Sequence, residues 1–218
     1  PCAVPPEDVL EDLFRTHDFW KNIPPSVLLP AREGLERRGI EVAEDRNNFD
    51  YLYLRSDLAD LAGKKYHKKR NLVNAFTAAF QVREEHLTEK LTGDALLVLE
   101  DWRENRGEDG DYGPAREALG LLGVLKLRGS IWYVKDRPIG WCLGESIARG
   151  RMFAIHFEKG LDEYKGIYQY MNQSFAASLP AYYSRLNREQ DLGDEGLRQA
   201  KMTYRPSGFV EKYTGRKV

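Results

Sequence analysis

Two cysteines in 218 residues, Cys2 and Cys142, do not make a disulfide framework or a zinc site. They set the expectation of two reduced thiols in a cytoplasmic protein. No apolar run approaches the ~20 residues needed to span a bilayer. The N-terminus shows no signal-peptide pattern, and a start at Pro1 fits truncation or processing. The formal net charge of -1 supplies no global field toward nucleic acid or membrane, so a basic site must be local. There is no HExxH, no Ser-His-Asp order and no Cys/His metal spacing, so a zinc enzyme or a hydrolase triad has no support and no metal site is expected. What is present is ordinary: 42% hydrophobic and 31% charged residues, enough chain to bury one large domain or one and a half smaller ones.

The most organised stretch runs from Arg151 to Glu189. Met152 to Phe157 is a short apolar strand pattern. Leu161, Tyr164, Ile167, Tyr168, Met171, Phe175 and Leu179 recur at steps of three and four and predict a helix from Leu161 to Leu179. Tyr182 to Leu186 predicts a second strand. Strand, helix and strand in this order make a parallel crossover, and ligands gather beyond the carboxyl ends of such strands. Those ends carry His156, Glu158 and Lys159 on one side and Asn187, Arg188, Glu189 and Asp191 on the other. Lys165 and Gly166, at the start of the helix, belong beside them.

Before this unit, Pro5 and Pro6 precede a helix expected over Glu7 to Phe19. A short strand follows over Val27 to Leu29, then a short helix over Ala31 to Arg38. Residues 1–48 hold too little apolar surface to be a domain alone and are expected to pack on the rest or to be the remnant of a preceding domain, with the main domain over 49–218. Phe49 to Leu54 alternates as a strand, and Ser56 is placed to cap a helix over Asp57 to Ala62. The run KKYHKKRN, Lys64 to Asn71, then fills the first turns of a helix ending near Phe80. Cations there oppose the helix dipole, so Lys64, Lys65, His67, Lys68 and Arg70 gain by meeting phosphate or carboxylate. A solvated helix face is the alternative. Helices over Leu87 to Asn105 and from Pro114 to Leu122 lead to a hairpin, Ile131 to Val134 and Ile139 to Leu143. Asp191 or Asp194 caps a last helix over Glu195 to Thr203, and Phe209 to Tyr213 closes the chain as a strand.

An opening strand, two helices, an antiparallel meander and a strand-helix-strand finish resemble the order of the GNAT acyltransferase fold. The expected class is therefore α/β (α+β), a mixed sheet with a central strand-helix-strand crossover. Three segments sharpen the resemblance: FDYLYLRSDLADLAGKKYHKKRN from Phe49, IHFEKGLDEYKGIYQYMNQSFA from Ile155, and LNREQDLGDEGLRQAKMTYRPSGFVEKY from Leu186. Together, over about Asn47 to Tyr213, the chain resembles soluble members of the phosphatidylglycerol lysyltransferase C-terminal domain family. That resemblance implies two GNAT-like halves, the first represented here by residues 1–48. It also implies aminoacyl transfer from aminoacyl-tRNA to an amine or hydroxyl acceptor. The lipid acceptor of the family's membrane-bound members does not carry over with it.

Ordinary GNAT enzymes hold the CoA pyrophosphate on a loop of pattern Q/R-x-x-G-x-G/A ahead of the crossover helix. Here the stretch is Glu163 to Tyr168. Gly166 stands, but Glu163 has the wrong charge and Tyr168 the wrong bulk, which argues against CoA. Aminoacyl transfer needs an acceptor deprotonated and an oxyanion stabilised. His156 is the candidate base, with a structural, hydrogen-bonded histidine as the alternative. Glu158 and Glu189 offer carboxylates, Asn187 a donor, and Arg188 either a phosphate contact or an ion pair with Glu158. Three functions follow: an aminoacyl-tRNA-dependent transferase, an acyl-CoA N-acyltransferase, or a non-catalytic binding module whose strand-end charges close on one another.

Overall fold

A computed structural model describes residues 3–107 and 109–218; Cys2 lies outside the described residues. In chain order the elements are α1 (Glu7–Thr16), β1 (Phe19–Ile23), α2 (Pro25–Leu28), α3 (Arg32–Glu36), β2 (Ile40–Glu44), β3 (Asp50–Leu54), α4 (Arg55–Asp60) and α5 (His67–Ala79). They continue with β4 (Val82–His86), α6 (Thr92–Arg106), α7 (Tyr112–Gly120), β5 (Arg128–Val134), β6 (Arg137–Ile147) and β7 (Met152–Gly160). The chain closes with α8 (Ile167–Ser178), β8 (Arg185–Asn187), α9 (Glu195–Met202), β9 (Gly208–Val210) and β10 (Tyr213–Lys217). Two compact units result, Pro1–Leu52 with Glu189–Val218, and Tyr53–Arg188. The first junction lies between Leu52 and Tyr53. The second returns the C-terminal segment to the N-terminal one.

In the first unit, β10 lies between β1 and β2, antiparallel to both. Leu10, Ile23, Leu28, Leu35 and Ile40 form its core. β3 pairs with β9 through Asp50–Val210 and Leu52–Gly208. Beside that pair, the buried carboxylate of Asp191 accepts from Arg198 at 2.9 and 2.8 Å, from the Tyr51 hydroxyl at 2.6 Å and from the Gly193 N–H at 2.9 Å. Burial pushes the Asp191 carboxyl up, and these donors outweigh it, holding the group well below the usual carboxylate range.

In the second unit, β4, β5, β6 and β7 form an antiparallel meander, and β8 joins β7 in parallel after the α8 crossover. One face packs on α6 and α7 through Trp141, Ile131, Leu143, Leu99 and Ala115. The other takes α8. A side chain at Gly140 would run into the Met171 sulfur, and one at Gly160 into Ile167, so these glycines let α8 lie close. Cys142 is buried in this sheet, which pushes its thiol well up and leaves it unreactive.

Several local expectations give way. The first helix stops at Thr16, and Phe19 begins β1. Val27 to Leu29 is helical, because Pro25 occupies the first position of a helical turn and presets its backbone angle. Ser56 lies inside α4, which starts at Arg55, and is not its cap. The crossover helix begins at Ile167, not Leu161. Leu161 and Tyr164 keep helical spacing, but they pack against the α6–α7 core from a turn. The second crossover strand is only Arg185–Asn187, and the final strand splits into β9 and β10. β2 and β4 were not expected, since their charged residues, Glu41 and Glu44 in one and Arg83, Glu84 and Glu85 in the other, leave no sustained alternation of apolar and polar positions.

Candidate functional site

The crossover strands part after a short pairing. β7 and β8 align Met152 with Arg185 and Ala154 with Asn187. β8 then ends, while β7 continues through residues 155–160 against β6 alone. Arg188 follows on one side of the opening and Glu158 stands on the other. Arg188 Nε donates to Glu158 Oε2 at 3.2 Å, and Nη2 donates to the same oxygen. The two side chains are 13% and 16% exposed. Asn172, on α8 and 3% exposed, donates its amide to Glu158 Oε1 at 3.1 Å. Its own Oδ1 is buried with no hydrogen-bond partner among the described residues.

Two further groups complete this cluster. The Tyr53 ring lies 5.8 Å from the Arg188 guanidinium carbon. Lys69, on α5, is half-buried, and burial followed by the Arg188 charge lowers its pKa. The opening thus brings two cations, one carboxylate and an amide carbonyl together at low exposure. Such a set suits an anion or a developing oxyanion beside a hydrogen-bond donor.

His156 does not join Glu158. A β-bulge lies where Leu143 faces Phe157 and Gly144 faces Ile155. His156 keeps the face of Ala154 and Glu145, and the extra residue breaks the alternation after it, bringing Phe157 to that same face with ring centroids 6.4 Å apart. Its Nε2 lies 3.3 Å from Glu145 Oε1. Phe157 packs on the α6–α7 core, whereas Glu158 meets α8. The two residues expected to act together therefore face opposite sides of the sheet. Asn187 ends β8 and is buried. Glu189 belongs to the first unit, with a left-handed backbone, and its carbonyl accepts from the Tyr51 N–H and from Lys201.

The basic run divides by role. Lys65 pairs with Asp57 at 2.8 Å, and His67 meets Asn71 at 3.1 Å. Arg70 donates to the carbonyls of Leu61 and Gly63. Lys64 and Lys68 are exposed. The member turned toward Arg188 is Lys69, which the sequence did not single out. Nor was Asn172, although an asparagine in the apolar stretch of the crossover helix was a signal for it.

The turn ahead of α8 is crowded. Gly166 has a φ of 98°, and a Cβ there would meet the Leu72 carbonyl at 2.8 Å and Phe76 at 3.2 Å. The Ile167 N–H is already bonded to the Tyr164 carbonyl at 2.9 Å. Tyr168 bonds the backbone of Gly160, and burial pushes its hydroxyl up to about 12. Lys165 sits in this turn, one residue before Gly166. The glycine's freedom is used to admit α5. Among the described residues no group of three or more His, Cys, Asp or Glu could hold a metal ion.

An antiparallel meander that passes through a parallel crossover and then splays is the GNAT-like acyltransferase arrangement, and the chain has that fold. Within it, the chain belongs to the family described as phosphatidylglycerol lysyltransferase, C-terminal, whose model matches residues 8–215. A conserved protein of unknown function from Bacteroides thetaiotaomicron VPI-5482 is 31% identical, with a TM-score of 0.83 over 97% of this chain and 74% of that one. L-PGS from Bacillus licheniformis shares the fold at 13% identity, with a TM-score of 0.63 over 97% of this chain and 74% of that one. An uncharacterised protein of Mycoplasmoides gallisepticum is 25% identical over 182 residues, 79% of this chain. The chain spans 56% of that relative's length. Among the described residues no helix is long and apolar enough to cross a membrane.

Proposed function

We propose that the chain is an aminoacyltransferase that takes an aminoacyl group from aminoacyl-tRNA to an amine or hydroxyl acceptor. In this reaction the ester bond to the tRNA ribose breaks and a bond to the acceptor nitrogen or oxygen forms. The acceptor's proton passes to the departing ribose oxygen. Membership of a lysyltransferase family supports the reaction class. The observation that carries it to a site is the Arg188–Glu158 pair with Asn172 and Lys69 at the splay of β7 and β8. Arg188 and Lys69 supply positive charge for the ester oxyanion or the nearby phosphate. Glu158, fixed by Asn172, acts as a positioning residue for Arg188. Asn187 lies at the same strand end as a further donor. His156 has no part in this set. Lys64 and Lys68, exposed on the same basic run as Lys69, are suited to the tRNA backbone.

Acyl-CoA transfer has less support, since the turn where pyrophosphate would rest is filled by α5. The test is incubation with tRNA charged with radiolabelled amino acids, including lysine, followed by loss of charging and appearance of label in amine or hydroxyl acceptors. Arg188→Gln should abolish any transfer. Salt-insensitive tRNA binding, or binding unchanged by Lys64→Glu with Lys68→Glu, would refute the donor. Heat on titration with acetyl-CoA would favour the CoA alternative.

A further inference from the structure

The opposite end of the second unit carries a different surface. The turn between α7 and β5 leaves Val124 78% exposed and Leu125 49% exposed. Tyr182, beyond α8, is 61% exposed. A single exposed leucine says little, but adjacent aliphatics held out on a tight turn form an apolar tip.

The same end is basic. Lys126 closes that turn, and Arg128 opens β5. Arg149 and Arg151 lie in the connection from β6 to β7, and Arg185 opens β8 beside Met152. Register brings them to one edge, since Arg128 faces Gly144, and Ile147 faces Met152. Arg128 is close enough to Tyr182 for its charge to act on the hydroxyl. All five cations are exposed, and none forms an ion pair among the described residues. The acids near this edge do not cover them: Glu89 lies against Gly123, and Glu145 faces His156.

We propose that this end is a peripheral docking surface for an anionic lipid bilayer, with Val124 and Leu125 entering the headgroup boundary while the cations meet lipid phosphates. Nucleic acid fits less well. A duplex backbone takes the cations but gains nothing from valine and leucine, and unpaired bases have the exposed ring of Tyr182 to stack on and still leave the aliphatic tip unused. A bilayer uses both features at once. β7 runs away from this edge, and Glu158 lies about 20 Å along it from Met152. Docking therefore holds the Arg188–Glu158 opening away from the lipid. This surface does not depend on the chemistry proposed for that opening.

The experiment is flotation of the full chain with vesicles of equimolar phosphatidylcholine and phosphatidylglycerol, against pure phosphatidylcholine, at low and high salt. Binding should require the anionic lipid and weaken with salt. Arg149→Gln with Arg151→Gln should weaken it about 25-fold, at about fivefold per cation. Val124→Ser with Leu125→Ser should weaken it about tenfold or more. Val124→Trp keeps the apolar tip and should shift its emission to the blue on anionic vesicles only. Absence of an anionic preference would overturn the proposal. So would serine variants that bind vesicles normally while the glutamine variants lose affinity for tRNA, which would mark a nucleic-acid surface.

Discussion

Arg188, the residue after β8, lies against Glu158 on β7 through both Nε and Nη2, across the point where the two strands part. Removing one member strands the other charge at low exposure. Glu158→Gln and Arg188→Gln should each cost about 3 kcal/mol of stability. The double variant should cost clearly less than their sum, because it leaves no uncompensated charge. Urea denaturation of the four proteins measures this coupling. Additive losses would mean that the two side chains do not act as a pair.

The crossover and its strand-end charges were legible because apolar runs and helical spacing report buried faces directly. The bulge at His156 was not. Alternation counted along Met152 to Phe157 assumes an unbroken pleat, and the extra residue that moves Phe157 and Glu158 to opposite faces from those expected is visible only once β6 is paired. Lys69 was hidden for a different reason. Within a run of cations, spacing alone does not say which one points inward, and that depends on where Arg188 stands. The start of α8 was misread because Leu161 and Tyr164 fall at helical intervals while serving the core on the other face of the sheet. The Arg188–Glu158 pair, by contrast, was one of the two roles open to Arg188 from sequence.

Asp191 gives the first unit an acid-sensitive point. Its folded carboxyl lies well below the unfolded value of about 3.9, so its contribution is complete above about pH 5 and fades as pH falls toward the folded value. Asp191→Asn should cost about 3 kcal/mol at neutral pH, with the gap to the wild type narrowing below about pH 4. Thermal unfolding of both proteins across that range checks it. A gap that stays constant down to strongly acidic pH would contradict the assignment.

Gly166 holds a left-handed conformation with the Leu72 carbonyl where a side chain would begin. Gly166→Ala should cost at least about 2 kcal/mol from backbone conformation and the displaced α5. If the turn were instead an open anion cradle, the alanine would chiefly reduce acetyl-CoA binding and leave the melting temperature nearly unchanged. Calorimetric unfolding beside a titration with acetyl-CoA separates the two outcomes.

Lys69 should separate stability from function. Burial and the neighbouring Arg188 both disfavour its charged form in the folded protein. A folded pKa below the unfolded one means that stability contributed by this group rises as pH increases through the folded value. Lys69→Met removes the penalty and keeps most of the apolar stem, so stability at neutral pH should hold or increase. Transfer from charged tRNA should fall at least tenfold, the scale of about 1.5–3 kcal/mol for a lost hydrogen bond to a charged group. Lys64→Gln, exposed on the same basic run, should leave stability alone and weaken tRNA binding mainly through its salt dependence. A Lys69→Met protein that is less stable yet fully active would make this lysine a structural member of the cluster and take it out of the proposed site.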